Sequence, residues 1–127
     1  EDIVVPTANI PKLMPYLDEI SEKYDIQIPC YGHAGDGNLH ATLVKNPDHS
    51  MEKWSEIEEE ALVDLYQATK DLGGTLSGEH GIGSKRKKYM DMIMDPTEMK
   101  LMRGIKKAFD PNNIMNPGKI FDMEDDE

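Results

Sequence analysis

Tyr31-Gly32-His33-Ala34-Gly35-Asp36-Gly37-Asn38-Leu39-His40 holds three glycines and two of the four histidines of a 127-residue chain. Asp36-Gly37 is among the dipeptides most favoured in a two-residue type I′ hairpin turn. With that turn, Gly35 would face Asn38, His33 would face His40 and Tyr31 would face Thr42. Directly opposed residues in an antiparallel pair have Cβ atoms ~5 Å apart. Two imidazoles that close can reach one metal ion, at about 2.0–2.1 Å each for zinc. The same register puts Cys30, Gly32 and Ala34 against Leu43, Ala41 and Leu39, a face without polar side chains. A slip of one residue would drive the histidines into the core and the leucines into water. The hairpin therefore predicts one core face and one face that carries a site.

Working outward, Ile3-Val4-Val5 reads as a short β-branched strand. Asn9 is a candidate helix cap, with Pro11 in the first turn. Leu13, Leu17, Ile20 and Tyr24 then form one apolar helical stripe, and Pro15 is expected to cost it one hydrogen bond. Past the hairpin, Asn46-Pro47-Asp48 is a turn that leaves His49 in solvent. Ser50 caps the longest helix, whose stripe is Trp54, Ile57, Ala61, Leu65, Ala68 and Leu72. Glu56, Glu58, Glu59 and Glu60 lie mostly off that stripe as a solvated face. Gly73-Gly74 ends it. Thr75-Leu76-Ser77 reads as a last strand.

The basic run Ser84-Lys85-Arg86-Lys87-Lys88 reads as a short solvated helix, or more sharply as an anion-steering patch. Asp95-Pro96-Thr97 opens a further helix with Met99, Met102, Ile105 and Phe109 on its stripe. Ile114 to Phe121 reads as an extended apolar segment, and residues 122–127 as a disordered acidic tail. The resulting order is β-α-β-β-α-β followed by helices. This is the α+β, ferredoxin-like order: an antiparallel sheet of four strands, helices on one face, and the face of Tyr31, His33, His40 and Thr42 left open.

A chain of this length makes one domain, residues 1–127. A net charge of −11 opposes nucleic acid and anionic membranes as partners. No apolar run approaches the roughly 20 residues of a membrane span. The single cysteine, Cys30, excludes an internal disulfide and fits a reducing, cytoplasmic setting. Its place on the apolar face makes it a packed hydrophobe, not a nucleophile. The nine methionines read as core and interface filler.

The chemistry concentrates in two places. His33 and His40 offer two nitrogen ligands, and Glu79-His80 stands between glycines at the end of the last strand. Glu79 completes a site of two histidines and one carboxylate with open coordination positions, as catalytic sites have. His80 is then left as a general base. Two histidines at this spacing are common by chance, and a strand histidine is usually structural. The Asp-Gly turn brings the metal reading level with that bland one.

Four stretches then carry a resemblance: Glu1 to Pro6 (EDIVVP), Gly32 to His40 (GHAGDGNLH), Ser77 to Gly83 (SGEHGIG) and Asp110 to Phe121 (DPNNIMNPGKIF). Together, and in this order, the chain resembles the C-terminal part of the FAD-linked oxidases of the vanillyl-alcohol-oxidase superfamily. The nearest branch looks like the D-lactate dehydrogenase, glycolate oxidase and D-2-hydroxyglutarate dehydrogenase group. The resemblance implies a flavoenzyme whose FAD is held mainly by an N-terminal domain of the same protein, absent here. It implies a divalent metal (zinc, iron or manganese) on His33, His40 and Glu79. His80 would take the hydroxyl proton of a small 2-hydroxy acid while hydride leaves for the flavin. Asn116, in the NPGK stretch, would approach the flavin. Substrate contacts are implied at Asn38 and at Thr42, where many members carry an asparagine. The electron acceptor would be a protein or a quinone, which would make the enzyme peripheral to a membrane through that partner. Alternatives are a stand-alone ferredoxin-like metal- or ligand-binding module, dimerising through its open sheet face, and a metal-dependent hydrolase with the same ligands. The absence of a start methionine before Glu1 favours a fragment, which alone would show no turnover.

Overall fold

The structure, a computed structural model, describes residues 1–123. The chain forms two compact units, one over Glu1–His80 and one beginning at Gly81. The fold class is α+β, as the element order predicts.

In the first unit, β1 (Asp2–Val4), β2 (Cys30–His33) and β3 (Asn38–Ala41) make an antiparallel sheet in the order β1-β3-β2. Strand alternation turns Ile3, Leu39 and Ala41 inward, and all three are buried. Helix α1 (Ile10–Tyr24) supplies Leu13, Leu17, Ile20 and Tyr24 to the same core, its full expected stripe. It runs through Pro15 without a break, since the core contacts of that stripe outweigh one forgone hydrogen bond. Asn9 does not cap α1. Its amide instead donates to the Leu72 carbonyl, at 2.9 Å, one of the acceptors that a helix C-terminus leaves unsatisfied.

Helix α2 (Met51–Asp71) packs against α1. The Ser50 hydroxyl accepts from the Lys53 amide at 3.1 Å, a side-chain N-cap. Ile57, Ala61, Leu65 and Ala68 are buried on its inner face, while Trp54 and Leu72 are half-buried. Glu56, Glu59 and Glu60 are exposed. Gly73 (φ +75°) and a bond of 2.8 Å from the Gly74 amide to the Thr69 carbonyl end the helix.

The expected fourth strand shrinks to a single antiparallel bridge between Thr75 and Val4, on the free edge of β1. After Leu76 the chain turns back onto Asp2, whose carbonyl accepts from the Gly78 amide at 3.3 Å. The edge therefore stops where the site begins.

The hairpin register differs from the expected one by two residues. Tyr31 faces His40 and His33 faces Asn38, and the same register continues to the Gln27–Val44 bridge. Ala34 to Gly37 form a four-residue loop. The amides of Asp36 and Gly37 both donate to the His33 carbonyl, at 3.2 and 3.1 Å. The Asp36 carboxylate accepts from the Asn38 amide at 3.0 Å, an Asx turn that competes with the type I′ geometry. The Gly37 carbonyl is bound by the Val5 amide at 3.1 Å, so β1 selects the longer loop. Because side chains alternate with a period of two, a shift of two leaves every residue on its expected face.

His49 is buried, not solvent-exposed. Its amide closes the turn on the Asn46 carbonyl at 3.0 Å, and its Nε2 lies 3.3 Å from Asp25 Oδ2. The turn folds under the end of α1 and carries the ring inward. Cys30 is half-buried, and burial pushes its thiol pKa up, which fits a packed side chain.

In the second unit, the basic run is not itself a helix. One 3₁₀ turn, Lys87–Tyr89, leads into the short α3 (Met90–Ile93). Helix α4 (Pro96–Phe109) has a complete capping box, with Asp95 as cap and Glu98 bonding back to the Asp95 amide at 3.1 Å. Of its expected stripe only Met99 is buried, while Ile105 is 61% and Phe109 84% exposed. Among the described residues this small unit has no further layer of its own to cover them. The Ile114–Phe121 segment is not extended. Asn113, Asn116, Gly118 and Ile120 all have positive φ, and the Asp110 carboxylate gathers the amides of Ile114 (3.0 Å) and Met115 (2.8 Å) into a turn. The disorder expected of the acidic tail falls largely on 124–127, outside the described residues. Among the described residues no helix is long and apolar enough to cross a membrane.

Candidate functional site

The sheet face opposite the helices carries Asp2, Tyr31, His33, Asn38 and His40, by the alternation of three paired strands. The turn after Leu76 adds Glu79 and His80. Glu79 Oε1 lies 3.4 Å from His40 Nε2, 4.0 Å from His33 Nε2 and 4.0 Å from His80 Nε2. Three imidazoles thus converge on one carboxylate oxygen. Two ligand atoms held about 2.1 Å from one ion at a tetrahedral angle stand ~3.4 Å apart. His33, His40 and Glu79 each place a ligand atom within 4.8 Å of the others, close to what one ion needs. Two imidazole nitrogens and a carboxylate oxygen suit zinc, iron or manganese.

The two histidines meet diagonally, not across a rung. Their ring centroids are 6.0 Å apart, and the Tyr31 ring takes the place opposite His40 at 5.4 Å. His80 stacks on His40, with centroids 5.1 Å apart and planes inclined by 21°. Adjacent residues of an extended chain would diverge. The turn at Gly78 instead brings Glu79 and His80 to the same side. His40 is the enclosed member, its side chain 14% exposed, whereas those of His33, Glu79 and His80 are more than half exposed.

Sequence reasoning missed Asp2. It is fully buried beneath the site. Its Oδ2 accepts from the Ser77 hydroxyl (2.6 Å) and from the amides of Gly78 (3.0 Å), Glu79 (3.0 Å) and His80 (2.8 Å). Its Oδ1 accepts from Asn38 Nδ2 at 2.6 Å and lies 3.9 Å from His40 Nδ1. Burial alone would raise the carboxyl pKa. The bonds from Ser77, Asn38 and the His80 and Glu79 amides reverse that and hold it well below its ordinary value of 3.8. The signal was present, since alternation across Ile3 puts Asp2 on the histidine face. A group whose folded pKa is depressed contributes stability above its unfolded pKa and loses it as pH falls toward the folded value. Asp2→Asn is therefore expected to lack part of the parent's loss of stability below about pH 4. Denaturant midpoints between pH 2 and 6 measure this, and parallel curves for the two proteins would refute it.

Asn38 is buried, and its amide nitrogen is engaged by Asp2 and by the Ile3 carbonyl at 3.2 Å. That places it behind the site instead of toward a substrate. Thr42 is exposed, two residues along from His40, with its amide on the Pro29 carbonyl at 3.0 Å. Asn116 belongs to the second unit.

A family described as FAD linked oxidases, C-terminal domain, matches residues 1–120. Similar proteins include the glycolate oxidase subunit GlcD of Bacillus subtilis, 41% identical over 95% of this chain and 25% of that protein. The D-lactate dehydrogenase of Anaerostipes hadrus is 39% identical over 94% of this chain and 25% of its own length. The D-2-hydroxyglutarate dehydrogenase of Stutzerimonas stutzeri is 39% identical over 94% and 26%. The chain thus spans about a quarter of the length of the relatives it matches.

Proposed function

Since this chain belongs to the family of FAD-linked oxidase C-terminal domains, we propose that it is the segment of a longer flavoenzyme that binds and deprotonates a small 2-hydroxy acid. The observation that carries this reading is the convergence of His33, His40 and His80 on Glu79 Oε1, on a sheet face that the helices leave open. His33 Nε2, His40 Nε2 and Glu79 Oε1 are the atoms that would hold a divalent cation. His80 stands 4.0 Å from the Glu79 oxygen, so a hydroxyl oxygen held beside Glu79 is within its reach. Its imidazole takes the hydroxyl proton, and the stack on His40 limits the tilt of its ring. When bound, the cation supplies Lewis acidity toward the substrate's oxygens and the flavin supplies the hydride acceptor. Thr42 offers an exposed hydroxyl to the substrate on the same face. Asn38 is assigned to positioning. Asn116 is assigned to flavin contact, and FAD is held mainly by the part of the protein that precedes this segment. The open face meets that part and the substrate. The single cysteine fits a reducing, cytoplasmic setting.

The test is anaerobic flavin reduction in the full-length protein by a panel of D- and L-2-hydroxy acids, with and without a chelator. One or more D-acids are expected to bleach the flavin, and chelator to abolish the bleaching until Zn²⁺ or Mn²⁺ is restored. Bleaching that ignores the chelator would remove the metal from the mechanism. An inert flavin with every acid would remove the substrate class.

A further inference from the structure

We propose that Asp2 is the positioning residue of this site: its buried carboxylate sets the Ser77–His80 turn so that Glu79 and His80 stand beside His40. This rests on the reading above, in which Glu79 and the three histidines form the reactive centre. No substrate reaches Asp2, which is fully buried. What it touches is the backbone that carries the reactive side chains.

Three consecutive amides, of Gly78, Glu79 and His80, point at one oxygen of Asp2 at 2.8–3.0 Å. Successive N–H groups converging on an anion define one turn geometry. The Ser77 hydroxyl adds a fourth donor at 2.6 Å. Rotating the turn away would leave the buried Oδ2 of Asp2 without its four donors, which is far more costly than losing an ordinary surface bond. The approach is close enough to require glycine. A Cβ on Gly78 would lie 2.3 Å from Asn38 Nδ2 and 2.7 Å from Val4 Cγ2.

The other oxygen works on the ligand side. Asp2 pairs directly with His40 in the β1–β3 ladder, and its Oδ1 lies 3.9 Å from His40 Nδ1. At that distance the carboxylate acts on the ring as a charge and not through a hydrogen bond; removing a carboxylate that stands behind a histidine ligand weakens metal binding by up to about 10–100-fold. Asn38, bonded to the same Oδ1 at 2.6 Å, keeps that oxygen in place. One residue of β1 therefore couples the hairpin, which carries two ligands, to the turn that carries the acid and the base.

The experiment compares Asp2→Ala, Ser77→Ala and the parent by amide hydrogen exchange on the full chain, with Mn²⁺ affinity and turnover measured in the full-length protein. In Asp2→Ala the Glu79 and His80 amides are expected to exchange at least tenfold faster, and the Gly78 amide, which also bonds the backbone carbonyl of Asp2, to accelerate less. Mn²⁺ is expected to bind about 10–100-fold more weakly, and kcat to fall. Formate, which can enter the vacated carboxylate site, is expected to restore part of the protection, and neutral formamide is not. Ser77→Ala, which removes one donor and no ligand, is expected to show a smaller loss of the same protection. If Asp2→Ala does not fold, Ser77→Ala decides alone. Parental exchange rates at the three amides would overturn the proposal, as would unchanged Mn²⁺ affinity in a folded Asp2→Ala. If the parent binds no Mn²⁺ and turns nothing over, the proposed function fails, while exchange and formate rescue still decide the part played by Asp2.

Discussion

Substituting His80 by alanine is expected to slow flavin reduction by roughly 10²–10⁴-fold, the usual contribution of a positioned general base, while the metal stays bound. The separation follows from geometry. His33, His40 and Glu79 close on one another without His80, and His80 approaches the same carboxylate oxygen from the face of the His40 ring. His33→Ala is expected to behave in the opposite way, losing the ion first and activity as a consequence. Stopped-flow flavin reduction with metal content measured on the same samples separates the two. Loss of the ion in His80→Ala would give His80 the part of a ligand. The centre would then be Asp2, His40 and His80, a second group whose ligand atoms also lie within 4.8 Å of one another.

The second large effect is on stability. Gly37→Ala is expected to cost about 2–4 kcal/mol, combining backbone strain with a steric clash. Gly37 has φ +84°, and a Cβ there would fall 2.0 Å from the Val5 carbonyl oxygen. That oxygen is backbone of the segment that continues β1, so the clash is relieved only by parting β1 from the hairpin. Gly35, in the same loop, has open space around it, and a Cβ there would meet nothing within 4 Å. Gly35→Ala is expected to stay within about 0.5 kcal/mol of the parent, as surface substitutions do. Urea unfolding of both variants makes the comparison, and equal midpoints would mean that the loop does not hold β1 as described.

Much of the site is legible in the sequence. Period-two alternation puts His33 and His40 on one face, and the difference in register does no harm because it is even. Glycines around Glu79-His80 mark a turn that approaches another part of the chain. The apolar stripes of α1 and α2 follow from spacing alone. His49 runs against expectation because a turn residue is assigned to solvent by default, whereas the fold buries its ring beside Asp25 at the end of α1. The stripe of α4 is apolar as its spacing predicts, but Ile105 and Phe109 are exposed. Periodicity reports which face is apolar and says nothing of whether a layer covers it.

Side-chain period and local turn chemistry encode the α+β order and the two faces of the hairpin, with His33 and His40 on one of them. Tertiary structure decided the four-residue loop and the role of Asp2. The loop is selected by a hydrogen bond from Val5, and Asp2 gains its meaning from amides more than seventy residues away. A buried carboxylate takes its partners from whichever backbone the fold brings to it, and no local pattern around Asp2 encodes that.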